Sequence, residues 1–300
     1  MKLLLSGSFD PGEETQWRAA LAAALPEAEL LSPAAARACA GEVVAAIVAN
    51  PPPGSLQGLP RLRLIQSLWA GVDRLLADTT LPPDVPLARM VDPAMNAAMA
   101  ETALWAVLAL HRGFFRYARQ QRAGLWQPLQ QRRTDEVPVL VLGLGQMGQT
   151  AAARMAALGY PVTGWRRDGL PLAPLLARAQ IVINLLPLTP DTRGLLDAAF
   201  FARLPQAAGV VNLARGAHVV DADLLAALDS GHLAHAVLDV FHTEPLPPEH
   251  PYWQHPQVTV LPHAAAATDP RSAAAMAAAN VRAARSGQPL ANLVDRLRGY

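Results

Sequence analysis

A glycine-rich turn in the middle of the chain constrains the fold more than any other feature. The apolar run Val139–Leu142 leads into Gly143-Leu144-Gly145-Gln146-Met147-Gly148, and an alanine-rich helical stretch follows at residues 150–158. A buried strand, a G-x-G-x-x-G turn and a helix together indicate a dinucleotide site: the glycines permit a tight turn, close backbone approach and helix packing. The helix N-terminus supplies N–H groups for a pyrophosphate. We therefore predict a Rossmann domain, with Gly143, Gly145, Gln146, Met147 and Gly148 at the cofactor.

The end of the next predicted strand indicates which dinucleotide binds. A site for NAD carries an acidic residue there to hold the ribose hydroxyls. This chain instead has Thr163-Gly164-Trp165-Arg166-Arg167, and guanidinium groups are the donors that suit a 2′-phosphate. We predict NADPH as the cofactor, with NADH weaker, and Trp165, Arg166 and Arg167 beside it. The alternative is an arginine pair exposed on a loop.

Strand-like runs alternate with helical patterns along the whole chain, which predicts parallel sheets with crossover helices. The predicted strands lie at residues 3–5, 29–31, 43–48, 64–67 and 85–88, and then at 137–142, 161–165, 181–185, 210–212, 236–239 and 258–261. One uninterrupted helix is predicted over residues 94–121 and another over 272–285. We predict an α/β fold with two doubly wound parallel-sheet domains: a flavodoxin-like substrate domain (1–93 plus 268–300) and a Rossmann NADP-binding domain (94–267).

Charge and composition narrow the choice of partners. A formal net charge of +1 argues against nucleic acid or an anionic membrane as the partner. The longest apolar run, residues 103–110, is well short of the roughly 18 residues of a membrane span. The N-terminus has too short an apolar run for a signal peptide, and the single cysteine, Cys39, allows no internal disulfide. We expect a cytoplasmic protein.

Ionisable residues follow three of the late predicted strands. Arg215 comes after residues 210–212, Asp239 and Glu244 after the next strand, and His263 after the last. Ligands of open α/β sheets bind beyond the carboxyl ends of the strands, so Arg215, Glu244 and His263 can converge there. Taken singly, each has an ordinary explanation as a surface ion-pair former, a loop carboxylate or a cap. The histidine spacings favour no metal site.

Several motifs in this order resemble those of the D-isomer-specific 2-hydroxyacid dehydrogenase family, over essentially the whole chain. They are Asn184-Leu185-Leu186-Pro187-Leu188-Thr189-Pro190-Asp191-Thr192, Asn212-Leu213-Ala214-Arg215-Gly216, Leu224-Leu225-Ala226-Ala227-Leu228-Asp229-Ser230-Gly231, Glu244-Pro245-Leu246-Pro247-Pro248 and the tail Val294-Asp295-Arg296-Leu297-Arg298-Gly299-Tyr300.

The resemblance implies specific roles. Arg215 binds the substrate carboxylate and carbonyl, His263 is the acid/base, and Glu244 pairs with His263. Asp239 holds the nicotinamide amide, and the backbone N–H groups of Ala70 and Gly71 bind the carboxylate. Further implied cofactor contacts are Leu185, Pro187, Leu213 and Ala214. Trp69 departs from the family, many of whose members carry a small residue there, so it is expected to reshape the substrate pocket.

The implied activity is the NADPH-dependent reduction of small 2-keto acids, glyoxylate to glycolate and hydroxypyruvate to D-glycerate. A hydride donor, a cation for the carboxylate and a proton donor are what that chemistry needs. The family pattern also implies a homodimer through the nucleotide domain, with the 94–121 helix taking part. Two alternatives remain open: a reductase of another 2-keto acid, because of Trp69, and an NADP-binding sensor that has lost turnover.

Overall fold

The computed structural model describes residues 1–167 and 169–300, which form two compact units. Residues 1–95 and 268–300 make the first unit, and residues 96–267 make the second. Each contains one parallel sheet with helices, so the predicted α/β class with two parallel-sheet domains is confirmed.

In the described part of the first unit, the sheet has the order β2-β1-β3-β4-β5, which is the flavodoxin-like order. Its strands are β1 (Lys2–Gly7), β2 (Glu29–Leu31), β3 (Val43–Ala49), β4 (Ile65–Ser67) and β5 (Leu87–Ala88). Its helices are α1 (Pro11–Ala24), α2 (Pro33–Ala38), α3 (Asp73–Leu76) and, from the end of the chain, α10 (Pro270–Ser286). Strand β3 is almost wholly buried, as a central parallel strand requires.

The C-terminal helix α10 is held in the first unit by polar contacts as well as by its buried alanines. Asn280 Nδ2 donates to Gln66 Oε1 at 2.7 Å, and both side chains are buried. Nearer the surface, Arg282 Nε donates to Glu27 Oε1 at 2.8 Å. A buried amide pair of this kind satisfies polar groups that would otherwise be costly to bury, so it fixes where the helix packs.

The second unit has the sheet order β11-β10-β9-β8-β6-β7 within its described residues. Its strands are β6 (Val139–Leu142), β7 (Val162–Trp165), β8 (Ile181–Asn184), β9 (Ala208–Asn212), β10 (Leu233–Leu238) and β11 (Val258–Val260). Its helices are α4 (Pro93–His111, whose first turn belongs to the first unit), α5 (Phe114–Arg122), α6 (Gln146–Ala157), α7 (Leu172–Leu176), α8 (Ala198–Ala202) and α9 (Asp221–Asp229). The strand order reverses between β6 and β8, which is the point where such sheets bind ligands.

The prediction of one continuous helix over residues 94–121 is wrong. The structure ends α4 at His111 and begins α5 at Phe114. Gly113 lies between them with φ of 71°, in the left-handed region that a helix interior does not contain. A glycine with this conformation stops a helix although the apolar pattern continues on both sides.

By length and composition alone, α4 could cross a membrane: it has 19 residues and a mean hydropathy of 1.2. This differs from the expectation based on residues 103–110, because over its whole length the helix contains a single residue that is Asp, Glu, Lys or Arg, namely Glu101. Its buried residues Ala103, Ala106 and Val107 pack in the core of the second unit, against strands β6 and β8 among others. A core helix meets the same criteria as a membrane span, so the composition does not assign it to a membrane.

Candidate active site

The glycine-rich turn follows β6 and leads directly into α6. Gly143 has φ of 93°, and a Cβ there would lie 2.6 Å from the carbonyl oxygen of Leu185. A Cβ at Gly148 would lie 1.9 Å from the carbonyl oxygen of Gly143, so these two glycines are required by packing within the chain. A Cβ at Gly145, in contrast, would meet nothing within 4 Å. The open space lies beside the backbone that begins α6, and a pyrophosphate fits this arrangement.

The two arginines after β7 lie beside this turn. Arg166 Nη2 donates to the carbonyl oxygen of Leu144 at 3.0 Å, and Gln149 Nε2 donates to the same oxygen at 2.9 Å. Arg167 forms an ion pair with Asp191, on the segment after β8. Both guanidinium groups are exposed after the end of β7, the second strand of this unit. In this type of fold the ribose of a dinucleotide is held at that strand end. Two cations there fit a 2′-phosphate.

Trp165 does not point freely into solvent. Its indole N–H donates to the carbonyl oxygen of Leu170 at 2.8 Å, and its ring packs against the core of the second unit. The indole therefore connects the end of β7 to the segment just before α7. Short α7 carries the chain back to β8, in keeping with the few residues between Arg167 and Ile181.

His263 and Glu244 form a hydrogen-bonded pair at the carboxyl ends of neighbouring strands. His263 Nδ1 donates to Glu244 Oε2 at 2.7 Å, and the other oxygen, Oε1, accepts from the backbone N–H of Phe241 at 2.8 Å. The carboxylate is thus oriented by the chain before it meets the imidazole. With Nδ1 engaged, Nε2 is the ring nitrogen left to exchange a proton with a substrate.

The pair shifts both ionisation equilibria towards the charged forms. The hydrogen bond to Glu244 raises the pKa of His263, with burial opposing it and the nearby Arg215 charge also lowering it. Burial alone would raise the pKa of Glu244, but hydrogen bonds from His263 and Phe241 outweigh it and leave that pKa lowered. The side chain of His263 remains 52% exposed, so a ligand can reach it. The arrangement suits a general acid that is charged near neutral pH.

Asp239 holds the segment that carries His263. His263 itself has φ of 53°, a conformation that side chains other than glycine rarely adopt. The carboxylate of Asp239, which is 1% exposed, accepts from the backbone N–H of Ala264 at 2.7 Å and of Ala265 at 3.0 Å. The backbone N–H of His263 donates to the carbonyl oxygen of Asp239 at 2.9 Å. These three hydrogen bonds stabilise the strained backbone conformation at His263. Burial raises the pKa of Asp239, and the hydrogen bonds from the N–H groups of Ala264 and Ala265 oppose this rise.

Arg215 lies three residues after the last residue of β9, in a segment packed closely on the chain that follows β10. A Cβ on the next residue, Gly216, would lie 2.0 Å from the backbone carbon of Phe241, so this close approach requires glycine. Phe241 in turn orients Glu244. The charge of Arg215 lowers the pKa of both Glu244 and His263, which places the guanidinium within electrostatic range of the pair.

The other predicted cofactor residues lie along the same edge of the sheet. The N–H of Leu185 donates to the carbonyl oxygen of Leu142 at 2.8 Å, and that of Leu213 to the carbonyl oxygen of Asn184 at 3.2 Å. Leu213 and Ala214 are buried. The carbonyl oxygen of Pro187 accepts from Thr192 Oγ1 at 2.8 Å. All of them follow β8, which lies beside β6 in the sheet, or β9, which lies beside β8.

Sequence reasoning missed three buried polar side chains at this edge: Asn184, Asn212 and His218, each 0% exposed. Asn184 Nδ2 donates to Asn212 Oδ1 at 3.0 Å, and Asn212 Nδ2 donates to the carbonyl oxygen of Arg215 at 2.9 Å. The asparagines stand at the last position of two apolar strands, which is a signal that the sequence does contain. His218, three residues after Arg215, has no comparable signal.

Trp69, Ala70 and Gly71 lie in the first unit, after β4. The backbone N–H of Trp69 donates to Ser67 Oγ at 3.0 Å, and its carbonyl oxygen accepts from the N–H of Met90 at 3.0 Å. The indole meets the buried ring of Trp17 edge-on, with centroids 6.3 Å apart. The segment is therefore held at both its backbone and its largest side chain.

Over the residues that the structure describes, no group of three or more histidine, cysteine, aspartate or glutamate side chains could hold a metal ion. The polar chemistry of the site consists of guanidinium, imidazole and carboxylate groups.

The fold and this site define a class. Residues 104–265 match the sequence model for the NAD-binding domain of D-isomer specific 2-hydroxyacid dehydrogenases. Over its full length the chain is 40% identical to a curated relative, and the alignment covers all of both proteins. The chain belongs to the D-isomer specific 2-hydroxyacid dehydrogenase family.

That curated relative is glyoxylate/hydroxypyruvate reductase A of Serratia proteamaculans. Among solved structures, a D-isomer specific 2-hydroxyacid dehydrogenase from Xanthobacter autotrophicus in complex with NADPH and MES is 40% identical, with a TM-score of 0.93 over 100% of this chain and 99% of that one. An NADPH-dependent glyoxylate/hydroxypyruvate reductase from Sinorhizobium meliloti, in complex with NADP and sulfate, is 36% identical, with a TM-score of 0.92 over the same shares.

Proposed function

We propose that the protein is an NADPH-dependent reductase of small 2-keto acids, converting glyoxylate to glycolate and hydroxypyruvate to D-glycerate. The observation that carries the proposal is the grouping of Arg215 with the hydrogen-bonded pair of His263 and Glu244 at the strand ends of the dinucleotide-binding unit. Similarity to glyoxylate/hydroxypyruvate reductase A supports the choice of substrate, and the NADPH-bound relative supports the choice of cofactor.

Each residue of the proposed active site has a separate role in the reduction. The guanidinium of Arg215 binds the substrate carboxylate and carbonyl as a planar fork. His263, charged through Glu244, donates the proton from Nε2 to the carbonyl oxygen as negative charge develops on it. NADPH, when bound, supplies the hydride to the carbonyl carbon. Trp69, Ala70 and Gly71 of the first unit are proposed as further substrate contacts on the strength of the resemblance.

The cofactor-binding residues are proposed from the same geometry. The backbone of Gly145, Gln146 and Met147 would hold the pyrophosphate, and Arg166 with Arg167 the 2′-phosphate. Leu185, Pro187, Leu213 and Ala214 would contact the cofactor where β8 and β9 end. Asp239 has both carboxylate oxygens on backbone N–H groups, and each oxygen keeps a second lone pair for the nicotinamide amide.

We also propose that the protein is a cytoplasmic homodimer. Large apolar side chains are exposed on and after the two helices that follow residue 93; they are Trp105, Phe114, Leu125 and Trp126. Exposed large apolar and aromatic residues are typical of protein interfaces. The single cysteine supports a reducing compartment.

Initial rates for glyoxylate, hydroxypyruvate, pyruvate and phenylpyruvate, each with NADPH and with NADH, test the proposal. We expect the highest kcat/KM for glyoxylate and hydroxypyruvate with NADPH. A preference for phenylpyruvate would assign a different 2-keto acid and give Trp69 a direct part in selecting it. NADPH binding without oxidation on any of the four acids would indicate a nucleotide-binding sensor and contradict the proposed enzyme.

A further inference from the structure

His218 is a buried titratable residue that the mechanism above does not use. It lies in the single helical turn Gly216–His218 that follows Arg215, and its side chain is 0% exposed. Burying an imidazole is costly unless its nitrogens have hydrogen-bond partners. The polar groups around the ring therefore indicate its role.

The two ring nitrogens of His218 face two different loops. Nδ1 lies 3.1 Å from the carbonyl oxygen of Arg215, and Nε2 lies 3.3 Å from the carbonyl oxygen of Pro187. The Arg215 oxygen also accepts from Asn212 Nδ2 at 2.9 Å. The ring therefore stands between the segment that carries the proposed substrate arginine and the segment after β8 that is proposed to contact the cofactor.

The segments after β8 and β9 are also held together at the points where they leave their strands. Asn184 and Asn212 are paired in register at the ends of β8 and β9, and their side chains are hydrogen-bonded at 3.0 Å. Asn184 Oδ1 accepts from the backbone N–H of Leu186 at 3.2 Å, and Asn212 Oδ1 from that of Ala214 at the same distance. The asparagines fix where each loop leaves its strand, and the His218 ring lies between the loops further along.

We propose that His218 is a positioning residue that holds the backbone of Arg215 against the Pro187 segment, so that the guanidinium fork meets the substrate carboxylate in one orientation. This rests on the proposed function, since it takes Arg215 as the residue that binds the carboxylate. A displacement of about 1 Å at a positioning group can cost about 100-fold in rate, because the reacting groups no longer align.

Binding of oxamate, an unreactive analogue of a 2-keto acid, to the NADPH-bound protein tests the proposal without requiring turnover. His218→Phe keeps a planar ring and removes the ring nitrogens that face the carbonyl oxygens of Arg215 and Pro187. We expect its dissociation constant for oxamate to rise about 10- to 100-fold, and His218→Asn, which keeps an N–H group on a short side chain, to recover part of the loss. If His218→Phe does not fold, His218→Ala removes the same contacts without adding volume and takes its place.

The readout specific to positioning is the same change made in Arg215→Lys. A lysine ammonium is a point charge on a flexible chain and does not depend on a fixed backbone direction as a planar fork does. The loss caused by His218→Phe should therefore shrink to less than about threefold in that background. His232→Phe is the matched control, because His232 Nε2 lies 2.9 Å from the carbonyl oxygen of Phe201, away from either loop, and oxamate affinity should not change.

The outcomes separate the two proposals. If Arg215→Lys binds oxamate as tightly as the wild type, Arg215 is not the carboxylate-binding residue and the proposed function loses its substrate site. If Arg215→Lys is impaired but His218→Phe has wild-type affinity, or loses the same factor in both backgrounds, His218 has no positioning role and the proposed function stands.

Discussion

At the scale of single residues, the pairing of His263 with Glu244 determines the pH at which the protein can work. The hydrogen bond and charge of Glu244 raise the pKa of His263, against burial and the charge of Arg215. The protonated ring is the form that reduces a ketone, so reduction should hold below this raised pKa and decline as pH rises through it. At the acid end, the lowered pKa of Glu244 keeps that carboxylate ionised.

Glu244→Gln keeps the shape of the side chain but removes the charge, so the pKa of His263 should fall. We expect the basic limb of the kcat/KM profile for glyoxylate to move to lower pH, with the dissociation constant for NADPH unchanged. His263→Ala should lose about 10²- to 10⁴-fold in kcat for reduction, which is the usual contribution of a general acid. Glu249→Gln, an exposed carboxylate in the same loop, serves as the control. A basic limb that stays in place in Glu244→Gln would mean that the proton comes from elsewhere.

Cofactor choice is also a property of single side chains. The guanidinium of Arg166 lies over the glycine-rich turn, on the carbonyl oxygen of Leu144. A charge-assisted contact with a 2′-phosphate is worth about 1.5–3 kcal/mol, so Arg166→Ala should weaken NADPH binding by about one to two decades. NADH has no 2′-phosphate and should bind as before. Fluorescence titration of both cofactors measures this, with the exposed Arg178→Ala as control. Equal losses for NADPH and NADH would contradict the assignment.

Residues of the candidate site differ in how far the sequence reveals them. Arg215, Glu244 and His263 can be proposed from sequence because each follows an apolar strand, and parallel strands end at one edge of a sheet. The hydrogen bond from the backbone N–H of Phe241 to Glu244 and the positive φ of His263 depend on the path of the backbone. The residue types at these positions do not indicate that path. The contacts of His218 with the carbonyl oxygens of Arg215 and Pro187 depend on backbone geometry in the same way.

At the scale of secondary-structure elements, the sequence indicates the strands more clearly than the helices. Runs such as 29–31, 43–48 and 258–261 lie within one residue of the observed strands at both ends. Strand β3 shows the clearest signal, because a strand buried on both faces reads as a continuous apolar stretch. The sequence predicts one helix over 94–121 because the apolar pattern continues through Gly113. At that glycine the structure leaves no room for a side chain, because a Cβ would meet the side chain of Leu129 at 2.6 Å.

The glycine-rich turn yields a prediction that separates folding from binding. A Cβ at Gly148 would clash with the backbone of Gly143, so Gly148→Ala must push α6 away from β6 and should cost about 1–3 kcal/mol of unfolding free energy. Gly145 has φ of −70° and open space at its Cβ position, so Gly145→Ala should fold with unchanged stability. Its methyl group would occupy the space proposed for the pyrophosphate. We therefore expect at least about a tenfold loss of NADPH affinity from Gly145→Ala, equivalent to 1.4 kcal/mol.

Thermal unfolding of the two variants measures the change in stability, and NADPH titration measures the change in affinity. Gly41→Ala, at another glycine with open space around its Cβ position, is the control for a methyl group added without contact. Gly145→Ala that binds NADPH like the wild type would exclude the turn as the pyrophosphate site.

At the scale of the whole molecule, relatives aligned from end to end confirm the family and the fold class that the ordered motifs predict. The two units each contain a parallel sheet with helices but differ at the ends of their strands. The first unit has an opening strand, Lys2–Gly7, followed by a short loop into α1, whereas the corresponding strand of the second unit, β6, ends in the glycine-rich turn. Local chemistry at the strand ends, and not the sheet itself, distinguishes a dinucleotide site.

The proposed dimer gives the last prediction. Trp126 is 99% exposed in the single chain, so Trp126→Ser should leave the stability of the monomer unchanged. In a dimer with twofold symmetry the residue counts twice, and a buried tryptophan at an interface is worth about 2 kcal/mol or more per copy, so the dimer should weaken by about 10³-fold. Sedimentation equilibrium of the wild type should give twice the mass of one chain, and Trp126→Ser should shift towards one chain at micromolar concentration. Trp253→Ser, at a tryptophan outside the proposed interface, should remain dimeric. A wild-type chain that sediments as a monomer would refute the dimer, and an unshifted Trp126→Ser would place the interface on another face of the molecule.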